Sequence, residues 1–283
     1  MTQIEPALRA APLPVFPPLP HAREWPVEPL PTTALLSIED MDTHYGTQPV
    51  LQKVCCRFLE KQVTAIMGPS GCGKSTLIKA LNRTLELTPG GRVTRGRALF
   101  RGHDLYAADA DPAAIRKQIG IIHQRPIVFP MSVQDNVLFG VRFHRRLTAF
   151  AQRELARELL ERVGLWKEVN TRLDAPAAAL SGGQQQRLCL ARTLANAPEV
   201  ILMDEPCSAL DPTATRHIEA LIAELKRDYT IIIVTHNMSQ ARRVSEQALF
   251  FYQGRLIEAG STGQLFEDPH EPMTREFVTG QIG

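Results

Sequence analysis

Gly68-Pro69-Ser70-Gly71-Cys72-Gly73-Lys74-Ser75-Thr76 decides the reading of this chain. It follows the apolar run Val63–Met67 and leads into Leu77-Ile78-Lys79-Ala80-Leu81, whose apolar spacing is helical. Strand, glycine-rich turn and helix, in that order, are the context in which G-x-x-x-x-G-K-[ST] forms a phosphate-binding loop. Glycines admit backbone conformations closed to residues with a Cβ, so successive N–H groups can face phosphate oxygens. The helix that follows aims its positive dipole end at the same place. Lys74 is expected to neutralise the β- and γ-phosphates of a nucleotide, and the Ser75 hydroxyl to hold Mg²⁺.

Composition narrows the function classes. The 283 residues are 44% hydrophobic and 22% charged, a profile expected of a soluble globular protein with a substantial core. A net charge of only +2 gives no basic face at whole-chain level, so no nucleic-acid partner is expected. No apolar run approaches the roughly 18 residues of a membrane span. The N-terminus lacks the pattern of a secretory signal. Five irregularly spaced cysteines, with no CxxC pair or Cys/His cluster, argue against a disulfide framework and against cysteine metal ligands. A reducing, cytosolic setting is the expectation.

Outward from the phosphate loop, the chain divides. Nine of its 21 prolines fall in residues 1–32, which reads as an extended or disordered arm. Residues 33–283 form the expected folded domain. Its first part reads as short strands at residues 35–41, 50–58 and 62–67, with residues 42–46 as a polar turn. Further strands are expected at residues 96–100 and 103–106. Residues 118–123 are another apolar strand, followed by a proline-punctuated loop over residues 125–130. From about residue 132 to 180 the pattern is mostly helical, and this stretch is taken as an inserted helical subdomain. Ala248 to Tyr252 and Arg255 to Ala259 suggest a terminal hairpin, with the remaining tail as helix and coil over the surface.

Several side chains fall where chemistry would need them. The apolar run Val200-Ile201-Leu202-Met203 ends in Asp204-Glu205, and its continuous apolarity suggests a strand of a parallel sheet. A carboxylate at the end of such a strand is where phosphate-loop folds place a Mg²⁺ ligand, a role that falls to Asp204. Glu205, one residue on, can polarise a water aimed at the γ-phosphate. Ser181-Gly182-Gly183-Gln184 stands at a second helix start, either an ordinary cap or a second anion-binding terminus. Tyr45 reads as strand-end packing or as an adenine stack. Gln124 and His236 each sit just past an apolar strand; alone, neither position says more.

Together, the loop, Gln124, Leu180-Ser181-Gly182-Gly183-Gln184, Asp204-Glu205, Ser208-Ala209-Leu210-Asp211 and His236 resemble the ATP-binding subunits of ABC transporters, over about residues 34 to 260. The resemblance implies an α/β P-loop NTPase with a mostly parallel core sheet, an N-terminal antiparallel β subdomain and an inserted helical subdomain. It implies that Tyr45 stacks on adenine and that residues 68–76 are the Walker A loop. Gln124 would be the Q-loop residue that senses Mg²⁺ and the membrane partner. Ser181 to Gln184 would be the signature sequence, with Asp204 the Walker B carboxylate and Glu205 the catalytic base. Asp211 would belong to the D-loop, and His236 would contact the γ-phosphate. ATP and Mg²⁺ are the implied ligands. Two copies would face head to tail, each loop completed by the other copy's signature residues, beneath transmembrane permease subunits.

Leu81-Asn82-Arg83, the triple glutamine Gln184-Gln185-Gln186, Asp204-Glu205-Pro206-Cys207 and the ending Thr279-Gly280-Gln281-Ile282-Gly283 are similar to the ATPase subunits of bacterial phosphate importers. That implies uptake of inorganic phosphate delivered by a periplasmic binding protein, with this chain on the cytoplasmic face of the inner membrane. A polar amino-acid importer is the alternative cargo. A soluble ABC ATPase without a permease would usually have two ATP cassettes or a long coiled-coil insertion, and this sequence has neither.

Overall fold

The computed structural model describes residues 34–282, and the arm expected over residues 1–32 lies outside the described residues. Strands β1 (Ala34–Tyr45) and β2 (Gln48–Leu59) pair antiparallel. β1 runs further than its sequence suggests: residues 42–46 were expected to turn, yet Thr43, His44 and Tyr45 pair on both sides. The polar run works as a strand because its inward residue is satisfied. Thr43 is fully buried, and its hydroxyl accepts the Leu51 N–H at 3.2 Å.

Strand β3 (Val63–Met67) is buried throughout and feeds the glycine turn and helix α1 (Lys74–Leu81). Strands β4 (Gly91–Phe100) and β5 (His103–Asp104) complete an antiparallel sheet of order β2-β1-β4-β5. Helix α2 (Pro112–Gln118), which the sequence reading passed over, opens with an Asp111 cap and a proline in its first turn. After β6 (Ile119–Ile122) come helices α3 (Val133–Leu138), α4 (Val141–His144), α5 (Ala149–Arg162), α6 (Trp166–Val169) and α7 (Gly182–Leu194). Ser132, Thr148 and Ser181 cap α3, α5 and α7 with their hydroxyls.

The remainder alternates strand and helix: β7 (Val200–Asp204), α8 (Pro212–Leu225), β8 (Thr230–Val234) and α9 (Met238–Val244). The hairpin β9 (Gln247–Tyr252) and β10 (Arg255–Ser261) follows, then α10 (Thr262–Glu267) and α11 (Pro272–Val278).

The core sheet has the order β10-β9-β3-β8-β7-β6, parallel except for the β9–β10 pair. Both its faces are covered, which is why its strands read as unbroken apolar runs. Ala65, Met67, Ile231 and Ile233 pack into a core shared with α3, α5 and α7. Ile66, Leu202, Ile232 and Val234 face the other way, with Leu77 of α1 and Phe58 of the antiparallel sheet. Each of these side chains larger than Ala65 contributes about 1.5–3 kcal/mol on burial. The half-exposed pairs Arg95–Asp40 and Arg97–Glu39 contribute about 1 kcal/mol at most. The apolar layers therefore hold the two sheets in place. Because β3, β6, β7 and β8 run the same way, their C-terminal ends share one edge, where an open α/β sheet gathers its ligand.

Candidate nucleotide site

The turn after β3 leaves no room for a side chain at residue 68. Gly68 has φ 146°, and a Cβ there would lie 2.1 Å from the Phe251 carbonyl oxygen of β9. Gly73 (φ 102°) precedes α1, and a Cβ there would lie 2.6 Å from Leu51 Cδ2 of β2. Pressed between two strands, the loop keeps its shape. Lys74 Nζ donates to the carbonyls of Gly68 and Pro69, both at 2.7 Å, and lies 3.7 Å from Cys72 Sγ. Lys74 is 6% exposed, and it has no ion pair among the described residues. A buried ammonium facing only neutral acceptors is under-compensated, so an anion such as a triphosphate fits this loop.

Ser75 Oγ donates to Asp204 Oδ1 at 3.0 Å, joining the first turn of α1 to the end of β7. Burial pushes the Asp204 carboxyl above the usual carboxylate range; the Ser75 hydroxyl opposes the rise and the charge of Glu205 adds to it. A divalent cation would relieve both burial and repulsion. Among the described residues no group of three or more His, Cys, Asp or Glu side chains could hold a metal. One carboxylate and one hydroxyl, completed by water and phosphate oxygens, suit Mg²⁺ rather than an all-protein cage.

Glu205 has φ 45°, and its N–H donates to the Val234 carbonyl at 2.9 Å. Its carboxylate is held from two strands. Gln124 Nε2, just past β6, donates to Oε2 at 2.9 Å, and His236 Nδ1, just past β8, lies 3.0 Å from Oε1. Tyr45, the phosphate loop, Gln124, Glu205 and His236 line one cleft of about 1060 Å³.

Ser181, Gly182, Gly183, Gln184 and Asp211 are not among the residues lining this cleft. Ser181 and Gln184 close a capping box at the start of α7: Ser181 N–H donates to Gln184 Oε1 at 2.9 Å, and Gln184 N–H to Ser181 Oγ at 3.4 Å. Glu168 of α6 braces that tip, accepting from Gln184 Nε2 at 2.7 Å and Arg187 Nη1 at 2.8 Å. Asp211 caps α8 through the N–H groups of Thr213 and Ala214, which hold its carboxyl below the usual range. A Cβ on Gly183 would lie 3.2 Å from the Ala214 Cβ, so the α7 tip and the start of α8 are neighbours.

Sequence reasoning missed part of the cleft wall. Gln48, Met238 and residues 277–280 and 282 also line it. The tail expected as helix and coil over the surface does form the helices α10 and α11, and its last described residues line the cleft. Met238 has a faint signal, two residues past His236; Thr279 to Gly283 carries only a family resemblance, which does not point to the cleft.

Comparison with known proteins agrees with this geometry. A profile of the ABC transporter family matches residues 51–208. The phosphate import ATP-binding protein PstB of Thermotoga maritima is 46% identical over 249 residues, covering 88% of this chain and 99% of the relative. The structure of cbiO1 from Clostridium perfringens, part of the ABC transporter complex cbiONQ, superposes with a TM-score of 0.73 at 28% identity, covering 88% of this chain and 99% of that one. A bacterial Atm1-family ABC exporter with ATP bound gives 0.73 at 25% identity, over 88% of this chain and 42% of that one. With the phosphate loop, Asp204-Glu205 and His236 on one sheet edge, and with a family match over more than half its length, the chain belongs to the ATP-binding proteins of the ABC transporter family.

Proposed function

We propose that this chain is the ATP-hydrolysing subunit of an importer that drives uptake of inorganic phosphate. The observation that carries it is Glu205 held between Gln124 and His236 in the lining of the phosphate-loop cleft. The cargo is supported by 46% identity to the Thermotoga phosphate import protein.

In this reading the loop N–H groups and Lys74 take the triphosphate, Lys74 exchanging the Gly68 and Pro69 carbonyls for phosphate oxygens. Tyr45 stacks on the adenine. Mg²⁺, held by Ser75 and Asp204 with Gln124 nearby, would offset charge on the β- and γ-phosphates. Glu205 accepts a proton from the attacking water, and His236 donates toward the γ-phosphate. Ser181 to Gln184, away from the cleft of their own chain, serve the ATP of a second copy placed head to tail, with each Asp211 beside them. One chain then carries two halves of different sites. The loop from Gln124 to Pro130 passes closure to transmembrane permease subunits, which receive phosphate from a periplasmic binding protein. The chain itself sits at the cytoplasmic face of the inner membrane. No helix among the described residues is long and apolar enough to cross a membrane.

Reconstitution with its permease in vesicles tests the proposal. ATP-dependent accumulation of radiolabelled phosphate is expected. Uptake of a polar amino acid without phosphate would replace the cargo.

A further inference from the structure

The C-terminal tail is built into the nucleotide cleft, and three sets of contacts put it there. Before α11, Glu258 is 1% exposed and accepts from the backbone N–H of His270 (2.9 Å) and Glu271 (3.2 Å) and from Gln264 Nε2 (2.9 Å). A carboxylate buried to that extent needs such donors, and they fix where α11 begins. Along α11, Phe277 stacks on Phe250, with centroids 4.7 Å apart and planes at 26°. Phe250 is the cross-strand neighbour of Met67, the last residue before the glycine turn. Beyond α11 the chain reverses at Gly280, φ 75°. There Gly280 N–H donates to the Phe277 carbonyl at 3.0 Å, while Gln281 and Ile282 N–H donate to that of Glu276 at 2.8 and 3.3 Å. This left-handed helix ending turns Ile282 back onto the core that also receives Met238.

We propose that residues 277–282 are a positioning wall of the ATP site. They brace the phosphate loop through Phe250 and the turn after β8 through the Met238 side, and they screen bound nucleotide from water on that side. The inference rests on the reading of the cleft as the ATP site. It adds no chemical step: the wall acts on how tightly nucleotide is held.

The test is calorimetric titration of Mg-ATP into the full chain carrying Glu205→Gln, which prevents turnover, and into the same chain ended after Thr279. The full chain is expected to bind, and the shortened one to bind about tenfold more weakly. Its nucleotide-free unfolding midpoint is expected to stay within about 2 °C. Ile282→Ser, which keeps the Gly280 turn, should weaken binding in the same direction, and Ile282→Leu should not. With Glu205 intact, Ile282→Ser should raise KM for ATP and leave kcat alone. Equal affinity in all chains, or a loss confined to kcat, overturns the wall and leaves the ATP site standing. Absence of binding by the full chain overturns both. If the shortened chain unfolds early, Ile282→Ser decides.

Discussion

His236 Nδ1 lies 3.0 Å from Glu205 Oε1, so the group proposed to meet the γ-phosphate and the carboxylate proposed to activate water touch in this structure. His236→Ala is expected to lower kcat by about 10²-fold or more while changing ATP affinity only a few-fold. Phosphate release and nucleotide titration on the same preparation separate the two effects.

Glu205→Gln keeps the shape of the side chain and removes its basicity. ATP binding and pairing of copies should survive, and turnover should fall by about 10²–10⁴-fold. Gel filtration with ATP should show a lasting dimer. Hydrolysis at the parent rate would take the proton-accepting role away from Glu205.

The separation of Ser181 from the phosphate-loop cleft makes a mixing experiment decisive. Lys74→Ala and Ser181→Arg chains should each be inactive alone. Mixed, they form pairs in which one composite site has both halves intact, and hydrolysis should partly return. A chain carrying both substitutions, mixed with parent chain, leaves every mixed pair without an intact site. No recovery in the first mixture would contradict shared sites.

Arg192 ties α7 to the segment that follows Gln124. Its Nη2 donates to the Ile127 carbonyl at 2.7 Å, its Nη1 to Asn136 Oδ1 at 3.2 Å, and its guanidinium lies 4.2 Å from the Phe129 ring centroid. Arg192→Ala should cost about 2–3 kcal/mol in urea unfolding. It should also speed amide exchange in residues 125–130, which lose their anchor.

Alkaline pH probes the turn after Glu205. Burial pushes the Cys207 thiol up from 9.0 to about 11. A group that holds its proton more tightly when folded contributes stability below its unfolded value, and that contribution is lost as pH rises. The unfolding midpoint should therefore decline between about pH 9 and 11, and less steeply in Cys207→Ser. At pH 8 Cys207 has roughly a hundredfold less thiolate than an ordinary cysteine, so iodoacetamide should modify it correspondingly slowly.

Much of this was legible because the fold and the site share their signals. The apolar runs ending at Met67, Ile122, Met203 and Val234 give parallel strands and deliver their next residues to one edge. Ser132, Thr148 and Ser181 cap their helices by chemistry that acts within four residues. Residues 43–45 misled because the buried Thr43 hydroxyl is satisfied by Leu51 of the neighbouring strand and because β4, far along the chain, pairs on their other side, which no local pattern records. Asp111-Pro112 did carry a helix-start signal, overlooked beside the motif-rich segments. The tail was hidden for another reason: its place depends on one buried carboxylate and one aromatic stack, each joining residues without a periodic mark.

Glu205 occupies backbone space that glycine fills more comfortably, at φ 45°. A β-carbon there costs about 1 kcal/mol, which the surrounding strands absorb. Glu205→Gly should accordingly relax the main chain as it removes the carboxylate proposed to accept the proton. Heat-resistance screening of random variants would then enrich inert molecules at this position, and durability and work would have to be selected separately.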